Sequence, residues 1–214
     1  MSSSTSAPTS VTTLALCNQF DRTICYEPHP VTSLILQANV TRSTKRSAIT
    51  TRQLALGDTT GQIGLRDIDP ENAGSARIAS GETSSDFLID VTTADLDLSL
   101  ILKEGERIDL VKIDVEGFEP NVIRGMQAHL RQHQPVVVFE SSDAPSYQAI
   151  HPELSDLGYR SFHAFSDNQT SNRLLRFLRK MVFGYELRLT ALTTTPDHFV
   201  SMAIALPQRL VSLP

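Results

Sequence analysis

The chain has 214 residues, 40% hydrophobic and 20% charged, which suits one soluble domain with a sizeable core. A formal net charge of −5 argues against a broad nucleic-acid-binding face, and no apolar run reaches the roughly 18 residues of a stable membrane insertion. Two cysteines, Cys17 and Cys25, are too few for a disulfide framework and too isolated for a zinc site, so a reducing cytoplasm is the simplest setting.

Met1 to Ser10 is rich in Ser and Thr and lacks the basic start and apolar centre of a secretory signal. It reads as a disordered tail, and residues 11–214 read as a single domain. Val11 to Phe20 suits a short apolar helix. Thr23 to Tyr26 is a β-type run that Glu27-Pro28-His29-Pro30 stops. Val31 to Val40 has helical spacing, with Leu34, Ile35, Ala38 and Val31 on one side. Ala48 to Ala55 suits a second strand, closed by Leu56-Gly57-Asp58.

From Gly57 to Val91 five glycines stand among short β-like pieces, at Gln62 to Arg66, Ser75 to Ala79 and Phe87 to Val91. Hairpins fit this excursion better than a helix. Thr93 to Leu102 is a helix, capped by Thr92 or Thr93. Ile108 to Asp114 is apolar on both faces, as a buried parallel strand should be. Pro120 opens a helix to about His133. Pro135 to Glu140 is another buried strand, expected beside the last. A helix over Tyr147 to Leu157 ends at Gly158. Tyr159 to Phe165 is a strand, Asn172 to Phe183 a basic amphipathic helix, and Phe199 to Leu206 a closing strand. Alternating strands and helices predict an α/β fold, a mainly parallel sheet with helices on both faces.

In such a sheet, ligands bind beyond the carboxyl ends of the strands. Acids recur there: Glu27, Asp58, Asp114 with Glu116, and Glu140. A ring of carboxylates on one rim points to a polar or cationic ligand. Glu27 either accepts hydrogen bonds from a ribose diol or is a helix-start acid favoured by the macrodipole. Asp114 and Glu116 are two apart, so on a continuing strand they share a face. They can hold a cation, or one can be raised in pKa to act as a base. Otherwise Glu116 and Glu119 cap the following helix, or Lys112 pairs with an acid and makes the group structural. Asn72 and Gly74 also fit plain turns. The six histidines show no metal-ligand spacing, and no nucleophile elbow or Walker loop is present.

The run Ile108-Asp109-Leu110-Val111-Lys112-Ile113-Asp114-Val115-Glu116-Gly117-Phe118-Glu119 resembles the signature of FkbM-type methyltransferases. Further pieces stand in the family's order: Tyr26-Glu27-Pro28-His29-Pro30, Ala55-Leu56-Gly57-Asp58 with Gly61, Asn72-Ala73-Gly74, Val122 to Met126, and Pro135 to Glu140. The resemblance covers roughly Val11 to Leu206. It implies a Rossmann-like fold, S-adenosylmethionine as methyl donor, and O-methylation of a hydroxyl on a small molecule or glycan. By this likeness Glu27 binds the donor's ribose, and Ala55 and Leu56, with Asp58 nearby, border the adenine. Asp114 lies near the methionine end and the acceptor and is the first candidate base, with Glu116 second. Asn72 and Glu140 are candidate acceptor contacts.

One departure concerns the start. In the family the helix matching Val11 to Phe20 follows a strand ending in Asp-x-Gly-Ala-Asn-x-Gly, whereas here the place holds Ser3 to Ser10 and the first glycine is Gly57. The expectation is a sheet without that first strand, which normally lies between the strands ending at Glu27 and Asp114. The alternative to an active enzyme is then an inactive, truncated methyltransferase-like domain serving as a binding module. A dehydrogenase is disfavoured, since no Gly-x-Gly-x-x-Gly follows a strand.

Overall fold

In the computed structural model of the chain, residues 17, 19–66, 77–78, 85–115, 117–141, 144–167, 187–192 and 200–211 are described. The expected tail, most of the Val11 to Phe20 helix and the basic helix Asn172 to Phe183 lie outside them. The chain divides into two compact units, Met1–Asp97 and Leu98–Pro214.

The first unit opens with β1 (Thr23–Tyr26), α1 (Pro30–Arg42) and β2 (Ile49–Arg52). β1 and β2 pair in parallel, from Thr23 opposite Ile49 to Tyr26 opposite Arg52. Pro30 suits the first helical turn, and the His29 side chain caps it, Nδ1 accepting the Thr32 N–H at 3.2 Å. The side of α1 that carries Val31, Leu34 and Ile35 is exposed, and Ser33, Leu36 and Val40 are buried instead. Two apolar stripes fit this helix, and the one holding Leu36 and Val40 clusters with Cys17, Cys25 and Ile49.

The single strand expected over Ala48 to Ala55 is two pieces in two sheets. β2 ends at Arg52, and β3 (Ala55–Leu56) pairs in parallel with β6 (Phe87–Thr92). β4 (Gly61–Arg66) pairs antiparallel with β6 and with β5 (Arg77–Ile78), so the glycine-rich stretch is the expected hairpin excursion. Ala55, Leu65, Ile89 and Val91 form its core. Helix α2 (Ala94–Ile101) follows, with the Thr93 hydroxyl accepting the Leu96 N–H at 3.2 Å as its cap.

The second unit holds β7 (Leu110–Ile113), α3 (Glu119–Arg124), α4 (Gln127–His133), β8 (Val136–Ser141), α5 (Ala144–Asp156), β9 (Tyr159–Asp167), β10 (Leu187–Ala191), β11 (Val200–Pro207) and α6 (Gln208–Val211). Its sheet has the order β10-β9-β11-β8-β7. β7 and β8 are adjacent and parallel, as expected, with Ile113 opposite Phe139. Burial on both faces does not hold. Among the described strands β7 is an edge with only Ile113 buried, and β8 alternates, burying Val137, Phe139 and Ser141. The helix expected over Pro120 to His133 is broken between Arg124 and Gln127, where Gly125 caps α3.

The expected mainly parallel sheet is corrected to mixed sheets. Among the described strands β1–β2, β3–β6 and β7–β8 are parallel, while five pairings are antiparallel. The antiparallel share comes from the hairpin excursion, from β11 inserting between β8 and β9, and from β10 pairing on the other side of β9.

Candidate functional site

Glu27 stands one residue beyond β1. Its N–H donates to the Arg52 carbonyl at 2.9 Å, continuing the β1–β2 ladder by one bond. Its Oε1 accepts the His29 N–H at 2.9 Å. Capping of α1 falls to His29, so Glu27 is not the cap. Burial pushes the Glu27 carboxyl above its ordinary range, and the His29 N–H pulls it part of the way back. Among the described residues only Oε1 has a hydrogen-bond partner, so a half-buried carboxylate keeps one oxygen for a ligand. A carboxylate oxygen in that setting can accept a hydrogen bond from a hydroxyl group.

Beside Glu27 lies a group that sequence reasoning missed. Asp97 on α2 is 4% exposed and takes two partners. The Tyr26 hydroxyl donates to its Oδ2 at 2.8 Å, and the Arg52 guanidinium pairs with its Oδ1. Burial, then the bond to Asp97, drives the Tyr26 phenol far above its ordinary range and keeps it protonated. In the sequence Asp97 looks like one of two acids in a first helical turn, and nothing there signals a partner 71 residues away.

Of the residues expected near an adenine, Ala55 is 6% exposed and its side chain belongs to the hydrophobic core of the excursion. Leu56 is half-buried and pairs with Thr92, and Asp58 is exposed. Asn72 lies outside the described residues.

In the second unit Asp114 ends β7, and two partners meet it. Lys112 Nζ donates to Asp114 Oδ2 at 2.5 Å, and the Glu140 carboxyl hydrogen-bonds to it. Burial pushes Asp114 up, but the Lys112 bond and charge, with the Glu140 bond, outweigh it and hold the carboxyl below its ordinary 3.8. Of the readings left open for this acid, the pairing with Lys112 is the one present, and it goes with a lowered rather than a raised carboxyl. The structure brings together Asp114 and Glu140, two of the predicted residues, on neighbouring strands. Glu116 lies outside the described residues.

Glu119 has a structural task. It is 3% exposed, and its Oε1 accepts the N–H groups of Val115 (3.3 Å) and Gly117 (3.2 Å). Gly117 has φ +93°, a region that L side chains rarely adopt. The signature's last acid thus holds the turn after Asp114 onto the start of α3. Among the described residues no group of three or more His, Cys, Asp or Glu could hold a metal ion, and no helix is long and apolar enough to cross a membrane.

The family model described as the methyltransferase FkbM domain matches residues 8–161. The search of curated proteins gives no match. A solved structure similar to this chain is the methyltransferase FkbM from Methylobacillus flagellatus KT, at 17% sequence identity and a TM-score of 0.46. The likeness covers 92% of this chain and 40% of that one, so this chain spans well under half the length of its structural neighbour.

Proposed function

Since the chain belongs to the FkbM methyltransferase domain family, we propose that it transfers a methyl group from S-adenosylmethionine to a hydroxyl of a small molecule or glycan, on a Rossmann-like domain in the cytoplasm. One observation carries the reading: the matched span, residues 8–161, contains every candidate residue from Glu27 to Glu140.

When bound, the donor supplies an electrophilic methyl group on a sulfonium. Glu27 binds the ribose through the oxygen that His29 leaves open. Leu56 borders the adenine by its side chain and Ala55 by its backbone, since the Ala55 methyl is in the core. Asp114 would orient the acceptor hydroxyl and take its proton as the oxygen–carbon bond forms and the methyl–sulfur bond breaks, the sulfur leaving as a neutral thioether. Its depressed pKa makes it a weak base, so its main work is holding the hydroxyl in line, a contribution that is large in well-oriented reactions. Glu140, beside Asp114 on the neighbouring strand, is the adjacent acceptor contact, and Asn72 and Glu116 are the remaining candidates.

Calorimetric titration with S-adenosylmethionine tests the reading. The wild-type chain should bind, and Glu27→Gln should bind about 10–100-fold more weakly, the worth of a hydrogen bond to a charged group. Equal affinity in the two proteins removes Glu27 from the donor site.

A further inference from the structure

Asp97 is an expensive residue to bury. A carboxylate taken out of water needs nearly all of its pairing returned, and a buried ion pair adds little net stability even then. Here one partner, Arg52, keeps 38% of its side chain exposed, which weakens the pair further. Stability is therefore a poor account of why the group is there.

Its placement gives a better one. Tyr26 and Arg52 are the last residues of β1 and β2 and stand opposite each other in register. Both are held by the same carboxylate, presented from α2. Glu27 is covalently next to Tyr26, and its N–H donates to the carbonyl of Arg52. So the two residues that fix the backbone of Glu27 are the two residues that Asp97 fixes. The carboxylate itself is trimmed locally, by the His29 N–H.

We propose that Asp97 is a positioning residue of the donor site, acting through Tyr26 and Arg52 to set where the Glu27 carboxylate stands. The inference rests on the donor-binding role of Glu27 and goes beyond it, because Asp97 needs no contact with the donor. It assigns a task to a buried acid that lies 70 residues from Glu27 in sequence.

The test is a double-mutant cycle read by calorimetry with S-adenosylmethionine, alongside the melting temperature of the unliganded protein. Tyr26→Phe removes one oxygen and leaves the ring and the Arg52–Asp97 pair in place. Asp97→Asn keeps the shape and removes the charge. Each should weaken donor binding by about tenfold in the wild-type background, the scale of one well-placed hydrogen bond. In a Glu27→Gln background the same changes should weaken binding by less than about twofold, because interacting residues are non-additive. A role confined to stability lowers the melting temperature and leaves affinity alone, or costs the same in both backgrounds; either result overturns the proposal. Should Asp97→Asn fail to fold, Tyr26→Phe decides the matter. A wild-type chain that binds no S-adenosylmethionine overturns the proposed function, and this role with it. A wild type that binds while Tyr26→Phe binds equally well overturns the positioning role alone.

Discussion

Truncating Glu119 to Ala should destabilise the protein through the turn after Asp114. The side chain is 3% exposed and accepts two backbone N–H groups, from Val115 at 3.3 Å and Gly117 at 3.2 Å. Both distances are at the long end for such bonds, so each is worth about 1 kcal/mol or less. Val115 is 39% exposed, and water can reach its N–H once the carboxylate is gone. The lost packing of a buried side chain adds about 1 kcal/mol, giving about 2–3 kcal/mol in all. For a chain of this size that lowers the melting temperature by about 4–12 °C. Differential scanning calorimetry reads it directly. Glu119→Gln keeps the volume and one carbonyl acceptor, so it should lose less than half as much. A Glu119→Ala protein that melts within about 1 °C of wild type would falsify the clamp.

Two further outcomes concern the carboxylates that are assigned chemistry. Asp114→Asn keeps the shape, and if Asp114 takes the acceptor's proton, turnover should fall by about 10²–10⁴-fold with the melting temperature little changed; turnover at the wild-type rate removes it from the reaction. Donor binding should depend on pH through Glu27. Burial raises that carboxyl above its ordinary 4.5, so the binding-competent carboxylate is lost on acidification at a higher pH than for a solvated glutamate. The loss should vanish in Glu27→Gln, whereas Asp114, depressed below 3.8, contributes nothing in that window. A calorimetric pH series with the same acid limb in both proteins refutes the assignment.

The sequence made element types legible wherever a period was strong. Thr23–Tyr26, Phe87–Thr92 and Val136–Ser141 are strands, and Ala94–Ile101 is a helix capped by Thr93. Less legible was which face turns inward. α1 offers two apolar stripes, and only the partner surface of Cys25 and Ile49 selects Leu36 and Val40 over Leu34 and Ile35. Continuous apolar runs also misled. Leu110–Ile113 reads as buried on both faces, yet among the described strands it is a sheet edge, because the pattern of a run does not state how many neighbours it has. Strand Leu187–Ala191 carries no clear sequence signal, since Arg188 and Thr190 dilute a short apolar run and pairing with β9 organises it. Among the candidate residues, Glu27 in the first unit and Asp114 and Glu140 in the second were visible as acids at strand ends. The Asp97 group was not, because long-range pairing leaves no local pattern.

The signature Lys112-Ile113-Asp114-Val115-Glu116-Gly117-Phe118-Glu119 shows why counting its acids is a poor guide to chemistry. Lys112 does not mark a binding site by its charge; it is spent on Asp114 at 2.5 Å. Glu119 is as invested in the motif as Asp114, but its acceptor oxygen is spent on two backbone N–H groups. Gly117 supplies the positive φ that lets the turn close onto it. Lys112 and Glu119 therefore fix, respectively, the charge state and the backbone setting of one residue, Asp114. Under the proposed function, substitutions at Lys112, Gly117, Glu119 and Asp114 should all lower turnover, yet by different routes. Loss at Glu119 or Gly117 should travel with a lower melting temperature. Loss at Asp114 should not. Stability measured beside turnover thus separates the residue proposed to meet the substrate from those that hold it in place.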